Sequence, residues 1–263
     1  MRARLGQFGI GVYLAFMIGF IYLPVVILVL FSFQHGMLPV PPFEGPSLEW
    51  YRLAFANERL MAALVNSIMV AVGSSFAATV LGFLAAYGMA RKPPRFAGAT
   101  RFLLMAPLTV SYLIIALGLL VVFNLAGISK SLLAVAIGHT IINLPLCFAI
   151  IYSQFGDHHR NMDQAAHDLG AGDLQVIWRI AIPTMRPALF ASFCLAATFS
   201  WDEFIVAILL SRFEVTLPVM IFEMLRAGLT PEVNAAGTIV FAISMTTVAI
   251  AVTGMMLRRG ARQ

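Results

Sequence analysis

The chain has 263 residues, 60% of them hydrophobic and only 11% charged, with a formal net charge of +5. A water-soluble domain carries about 25% charged residues, so a soluble globular domain, a disordered chain, a coiled coil and a soluble nucleic-acid-binding domain are excluded. Cys147 and Cys194 each lie inside an apolar run and are too few for a disulfide framework. What remains is an all-α integral membrane protein.

Six stretches are long enough to cross a bilayer. Charged residues are absent from 5–43, 60–90, 102–129, 131–156 and 233–257, and 187–211 is interrupted only by Asp202-Glu203. A bilayer core takes about 20 apolar residues in a helix, and none of these stretches alternates with the period of a barrel strand. Six transmembrane helices are predicted near 8–33, 61–90, 102–125, 132–153, 188–210 and 234–257, within one domain spanning 1–263. The first is about twice as long as a signal-peptide core, and Phe31-Ser32-Phe33-Gln34-His35 offers no small-residue cleavage site. It is expected to stay attached. Arg91-Lys92-Pro93-Pro94-Arg95 separates the second span from the third. Pro24, Pro107 and Pro145 are expected to kink their helices, and His139, Thr140 and Asn143 to hydrogen-bond between helices.

Orientation follows from the cations. With six spans both termini share a side, and that side collects Arg2, Arg4, Arg91, Lys92, Arg95, Arg101, Arg160, Arg179, Arg186, Arg258, Arg259 and Arg262. The other side has Arg52, Arg59, Lys130, Arg212 and Arg226. Twelve against five predicts cytoplasmic termini. The positive charge is a topological signal, and no nucleic-acid partner is expected.

One cytoplasmic segment, Gln154 to Arg186, is long enough to hold structure. Met162, Ala165, Ala166 and Leu169 recur on one face of a short helix that Gly170 can end, and Asp173 can cap a second short helix running to Ile180. Pro183 and Pro187 then punctuate the start of the fifth span. These two helices, lying across the membrane surface, either rest on lipid headgroups or dock a cytoplasmic partner. His158, His159 and His167 lie near Asp163 and Asp168 without a metalloprotease spacing. They are read as a solvated face, and no metal site is expected.

Gln164-Ala165-Ala166, three residues, Gly170, nine residues, Ile180, one residue and Ile182-Pro183 resemble the EAA loop of permease subunits of binding-protein-dependent ABC importers. Gln164 stands where that pattern has glutamate, and Ile182 where it has leucine. Trp50-Tyr51 with Asn66-Ser67, Phe199 to Phe204, Thr216 to Val219 and Gly228 to Ala235 are similar to the polyamine-type branch, which includes the second permease of spermidine and putrescine importers. The resemblance implies a transport subunit, not an enzyme, with no cofactor of its own. Two ATPase subunits would hold ATP and magnesium and receive the 158–183 loop through Asp163, Gln164, Ala165, Ala166, Asp168, Gly170, Ile180 and Pro183. It further implies a second, different permease and a periplasmic solute-binding protein, in the bacterial inner membrane with lipid around it. No P-loop occurs, in keeping with that reading: Lys92 precedes Pro93 and Lys130 follows Ser129.

Asp202 and Glu203 are the most costly residues in the chain, at about 2.5–3.5 kcal/mol each near a helix centre. One reading places at least one of them on the solute path, where Trp201 or Phe204 adds an aromatic wall for a cation. The other makes them a structural pair with Arg212 or a contact with a second permease. A proton-coupled secondary transporter using these acids is the alternative function. An intramembrane enzyme lacks its motifs: neither Gly-x-Ser-x-Gly nor His-Glu-x-x-His occurs.

Overall fold

The computed structural model describes the backbone of residues 2–228 and 230–260, and side chains from Ile10 to Ala249 apart from 157, 158, 160, 229 and 247. The side chains of His158 and of arginines 2, 4, 160, 258, 259 and 262 lie outside the described residues. The described chain is helical, with a lone antiparallel bridge between Gln34 and Pro46. In order the helices are α1 (Arg2–Ser32), α2 (Glu49–Ala56), α3 (Glu58–Arg91), α4 (Ala97–Met105), α5 (Tyr112–Leu125), α6 (Leu132–Tyr152), α7 (Asp157–Asp168), α8 (Asp173–Trp201), α9 (Ile205–Leu210), α10 (Leu217–Ala227) and α11 (Pro231–Gly260). Four of them are long and apolar enough to cross a membrane among the described residues: α1 from Ile10, α3, α6 and α8. The bent pair Ala97–Thr109 and Tyr112–Leu125 makes a fifth if counted as one span. The sixth predicted stretch, 234–257, lies in α11, whose side chains from 250 on are outside the described residues.

The third predicted span is bent where Pro107 is expected to kink it. Its two halves meet at 106°. Pro107 has no N–H to give and its ring crowds the carbonyl four residues back, so Ala106–Thr109 tightens into a 3₁₀ turn and Val110 goes extended. Pro24 and Pro145 sit inside α1 and α6.

The predicted fifth span differs at both ends. It was expected to follow a separate short helix and to run through 210; instead α8 is one helix from Asp173 that stops at Trp201. At its start, Ile177–Ala181 widens into a π turn just before Pro183. A widened turn absorbs the hydrogen bond that Pro183 cannot make, so the helix continues where proline would have ended it. At the far end the Glu203 carboxylate accepts from the backbone N–H groups of Ile205 (3.1 Å), Val206 (2.8 Å) and Ala207 (3.4 Å). In an uninterrupted helix those donors would serve carbonyls four residues earlier. Glu203 takes them, and α9 starts afresh.

Packing groups the chain into two compact units, Met1–Met61 with Ile221–Thr246, and Ala62–Met220 with Thr247–Gln263. Within the first, Asn57 caps α3 through the Leu60 N–H and donates from Nδ2 to Glu232 at 3.1 Å. Within the second, α6 packs along α8, and α9 packs against α5 and α6. Small residues make the close approaches. Ser74, Ala78, Gly82 and Ala86 repeat every fourth position on the buried face of α3. A Cβ at Gly82 would lie 2.9 Å from both Cys147 Cβ and the Phe148 backbone nitrogen, so α3 and α6 nearly touch there. In a bilayer, where lipid is as apolar as a core side chain, such small-residue stripes are what permit tight helix contact.

Candidate functional site

The 157–186 segment is built on one helix and the first turns of another. α7 ends in a Schellman motif: Gly170, at φ +84°, donates to the His167 carbonyl at 2.8 Å, and Ala171 donates to that of Ala166 at 2.9 Å. This is the left-handed stop expected of Gly170. The expected capping by Asp173 is not observed; Gly172 is the cap, its N–H donating to Gln175 Oε1 at 3.3 Å, and Asp173 is the first helical residue.

The buried face of α7 also departs from the apolar pattern. Ala165 and Leu169 point outward, with Leu169 89% exposed, whereas Asp163 and Ala166 are buried. A charged residue turns inward because a cation waits for it. Asp163, 3% exposed, forms an ion pair with Arg91 at the end of α3. Arg91 stacks its guanidinium 5.0 Å from the Tyr87 ring centroid and reaches His167 Nε2 at 3.4 Å. His167 in turn contacts the Ala171 carbonyl through Nδ1 at 2.9 Å and lies 3.5 Å from Asp173. Lys92 is 3.8 Å from Asp173. His167 is thus part of this anchor rather than a solvated face. A cavity of about 290 Å³, bordered by Met89, Arg91, Tyr152, Phe155 and Asp163, lies beside it.

The outward face of this element carries Gln164, Ala165, Asp168 and Gly170, continued on α8 by exposed Leu174 and Trp178. Ile180 and Pro183 are half-buried in α8, and Ala166 is buried behind the face. Of the predicted loop residues, then, Gln164, Ala165, Asp168 and Gly170 share one surface, and Asp163 and Ala166 hold it from behind.

The second candidate region is the break after α8. Glu203 is 6% exposed, while neighbouring Asp202 is exposed and Trp201 and Phe204 are half-buried. The pair with Arg212 is not formed; Arg212 lies over the Phe213 ring at 4.8 Å. Glu203 instead faces His139, whose Nε2 is 3.5 Å from Oε2. His139 Nδ1 is 2.7 Å from Ser200 Oγ, and Ser200 Oγ is 2.9 Å from Ser74 Oγ. Thr140 donates to the Ala136 carbonyl at 2.7 Å and to that of Ser74 at 3.4 Å. His139 and Thr140 therefore do bond between helices, while Asn143 Nδ2 is buried without a hydrogen-bond partner. Near the start of α3, Asn66 Nδ2 donates to the Val215 carbonyl at 3.1 Å and Ser67 Oγ accepts from the Leu217 N–H at 2.7 Å, which ties down the segment leading into α10.

Residues 78–260 match the model of the binding-protein-dependent transport system inner membrane component. The chain belongs to this family of membrane permeases. Over 88% of its length this permease is 30% identical to the spermidine/putrescine transport system permease protein PotC of Haemophilus influenzae, covering 90% of that protein. It is 31% identical to the putrescine transport system permease protein PotI of Escherichia coli K12, over 84% of the permease and 81% of that relative. A crystal structure of a bacterial alginate ABC transporter bound to its periplasmic protein contains a chain with the same fold, at 16% identity and a TM-score of 0.73 over 95% of this permease and 93% of that chain. As a member of the family the permease is an integral inner-membrane component of a binding-protein-dependent ABC importer. The proton-coupled alternative has no support from these relatives.

Sequence reasoning missed the partners more than the sites. Arg91 reads in the sequence as a span boundary and a topological charge, and nothing there pairs it with Asp163. Ser74 and Ser200 carry no sequence signal of their own, because single serines in apolar helices are common. The four-residue repeat of small side chains on α3 was the legible signal.

Proposed function

We propose that this permease forms half of the path for a polyamine or similar small solute and is driven by a cytoplasmic ATPase docked on the 158–183 loop. Residues 1–263 form one transmembrane domain of six spans with both termini in the cytoplasm. It works beside a second, different permease, two ATPases that hold ATP and magnesium, and a periplasmic binding protein. The carrying observation is the outward face of Gln164, Ala165, Asp168 and Gly170 on a helix braced through Asp163 and Arg91. A braced helix with small exposed side chains suits insertion into a groove, because it transmits force and admits close backbone contact. The polyamine reading draws on the relatives' names and on Asp202, an exposed acid at the break of α8.

Two experiments test the parts separately. Ala165→Trp adds bulk to an exposed position, so insertion is expected to persist while copurification of the ATPase and solute uptake are lost; wild-type copurification would remove the docking role. Asp202→Asn is expected to lower uptake of radiolabelled putrescine on the order of tenfold, the effect of a charge partner lost from a partly dehydrated site. Uptake at the wild-type rate would take Asp202 off the path.

A further inference from the structure

Two acids stand side by side at the break of α8, and only one is free. Glu203 is occupied by the three N–H groups that open α9. His139, 0% exposed, faces it from α6. The Glu203 carboxylate beside Nε2 selects the hydrogen-bond directions around His139, because it favours an N–H there over a lone pair. Ser74 Oγ–H then donates to Ser200 Oγ, and Ser200 gives its own proton to His139 Nδ1. The reverse run, ending with Ser74 on the Ala71 carbonyl at 3.5 Å, would set a lone pair of the ring against the carboxylate. A neutral imidazole accepting at Nδ1 carries its N–H on Nε2, which lies 3.5 Å from Glu203 Oε2 in a close polar contact short of a hydrogen bond and has no hydrogen-bond partner among the described residues. One line of polar groups thus joins α3, α6, the last turn of α8 and the cap of α9.

We propose that His139, braced by Ser200 and Ser74, is a positioning residue that holds Glu203 in its capping pose and thereby presents Asp202, alone of the two acids, to the cationic solute. The proposal rests on the reading that Asp202 lines the path. Without the brace the competing arrangement is a helix that continues through 202–204, its N–H groups returned to backbone carbonyls. Successive residues in a helix are about 100° apart, so continuation would turn Asp202 away from its present direction and release Glu203 from its cap. A buried polar chain in apolar surroundings holds one geometry because any slip leaves unpaired groups, each costly in lipid.

The test uses the complete transporter in proteoliposomes, with radiolabelled putrescine uptake expressed per inserted complex. His139→Leu is expected to lower uptake on the order of tenfold, and His139→Gln, which keeps a donor near the Nε2 position, to recover most of it. In the Asp202→Asn background, His139→Leu is expected to add nothing, since both changes remove the same interaction. If Asp202→Asn alone is neutral, the path reading fails and the proposal with it. If Asp202→Asn impairs uptake but His139→Leu is neutral, or if the two losses multiply, the positioning role alone is overturned. A second readout is independent of activity. The thiol introduced by Asp202→Cys, with Cys194→Ser, is reacted with a charged methanethiosulfonate, and His139→Leu is expected to change its rate about fivefold or more. An unchanged rate overturns the proposal. Should His139→Leu fail to insert, Ser74→Ala, which removes one hydroxyl from the far end of the chain, is carried through the same cycle with the same criteria and a smaller expected loss.

Discussion

Asp163→Ala is expected to release α7 from the rest of the protein and abolish uptake while the spans stay inserted. The substitution leaves Arg91, whose side chain is only 18% exposed, without its carboxylate. Breaking one side of a fully buried ion pair costs about 3–5 kcal/mol; here the loss falls toward the low end, because Arg91 keeps the Tyr87 ring and His167 but no counter-charge. The cost falls on a short helix with little apolar burial of its own: Ala166 is its one buried apolar residue among those described. Release of the helix is therefore the cheap response, and unfolding of the spans is not. Limited proteolysis between Gln154 and Gly172 measures it, with cleavage expected to accelerate in Asp163→Ala membranes. The exchange of charges, Arg91→Asp with Asp163→Arg, is expected to restore part of the protection. Unaltered cleavage in the single variant would mean that the pair does not anchor α7.

Gly82→Leu is expected to be the most damaging single change within the membrane-facing helices. The contact it would violate is with backbone and a Cβ, 2.9 Å from each, which cannot swing aside as a side-chain end can. Overpacking a tight core costs typically about 1–3 kcal/mol, and a backbone contact puts this site at the upper end. Gly88→Leu on the same helix is the control, since a Cβ there meets nothing within 4 Å. Thermal unfolding in detergent is expected to show a clear loss for Gly82→Leu and little for Gly88→Leu. Equal behaviour of the two would mean that α3 and α6 do not depend on that approach.

Gly138 is a second close approach. There a Cβ would meet Val206 Cγ1 at 2.6 Å and Leu210 Cδ1 at 2.9 Å. Leu210 can swing its end, but Val206 is fully buried in a helix, where a β-branched side chain is stiff at its first torsion. Gly138→Ala is accordingly expected to destabilise as Gly82→Ala does, with the same unfolding measurement as the check.

Where the chain is helical was legible because apolarity and length decide it: the spans predicted near 61–90 and 132–153 match α3 and α6 to within a few residues, and 8–33 ends within one residue of α1. Where helices change direction was legible only in part. Pro107 marked the place of the 106° bend, because a proline ring leaves a backbone carbonyl unserved. The stop at Trp201 arises from N–H groups redirected to one carboxylate, and average hydropathy is blind to it. Pro183 misled in the opposite sense, since a π turn let the helix pass a residue that usually ends one. At α7 the apolar spacing set Met162, Ala165, Ala166 and Leu169 on one face, but it did not show which side packs inward; in so polar a helix an ion pair outweighs a methyl group, and Asp163 turned inward while Ala165 and Leu169 stayed exposed. Gly170 was readable because a single conformational requirement, the left-handed stop, points to glycine whatever surrounds it.

The unbroken course of α8 from Asp173 to Trp201 has a mechanical meaning. Twenty-nine residues make a rod of roughly 43 Å, so a tilt of about 5° about its lower end carries Trp201 through about 4 Å. That is the width of a methylene chain. On the path proposed above, an angular adjustment too small to disturb side-chain packing at one end would be enough to admit or expel a slender solute at the other. The leverage also works in reverse: a molecule that fits only one setting of the upper end chooses the angle of the lower one, and the energy it spends there equals the energy returned to it.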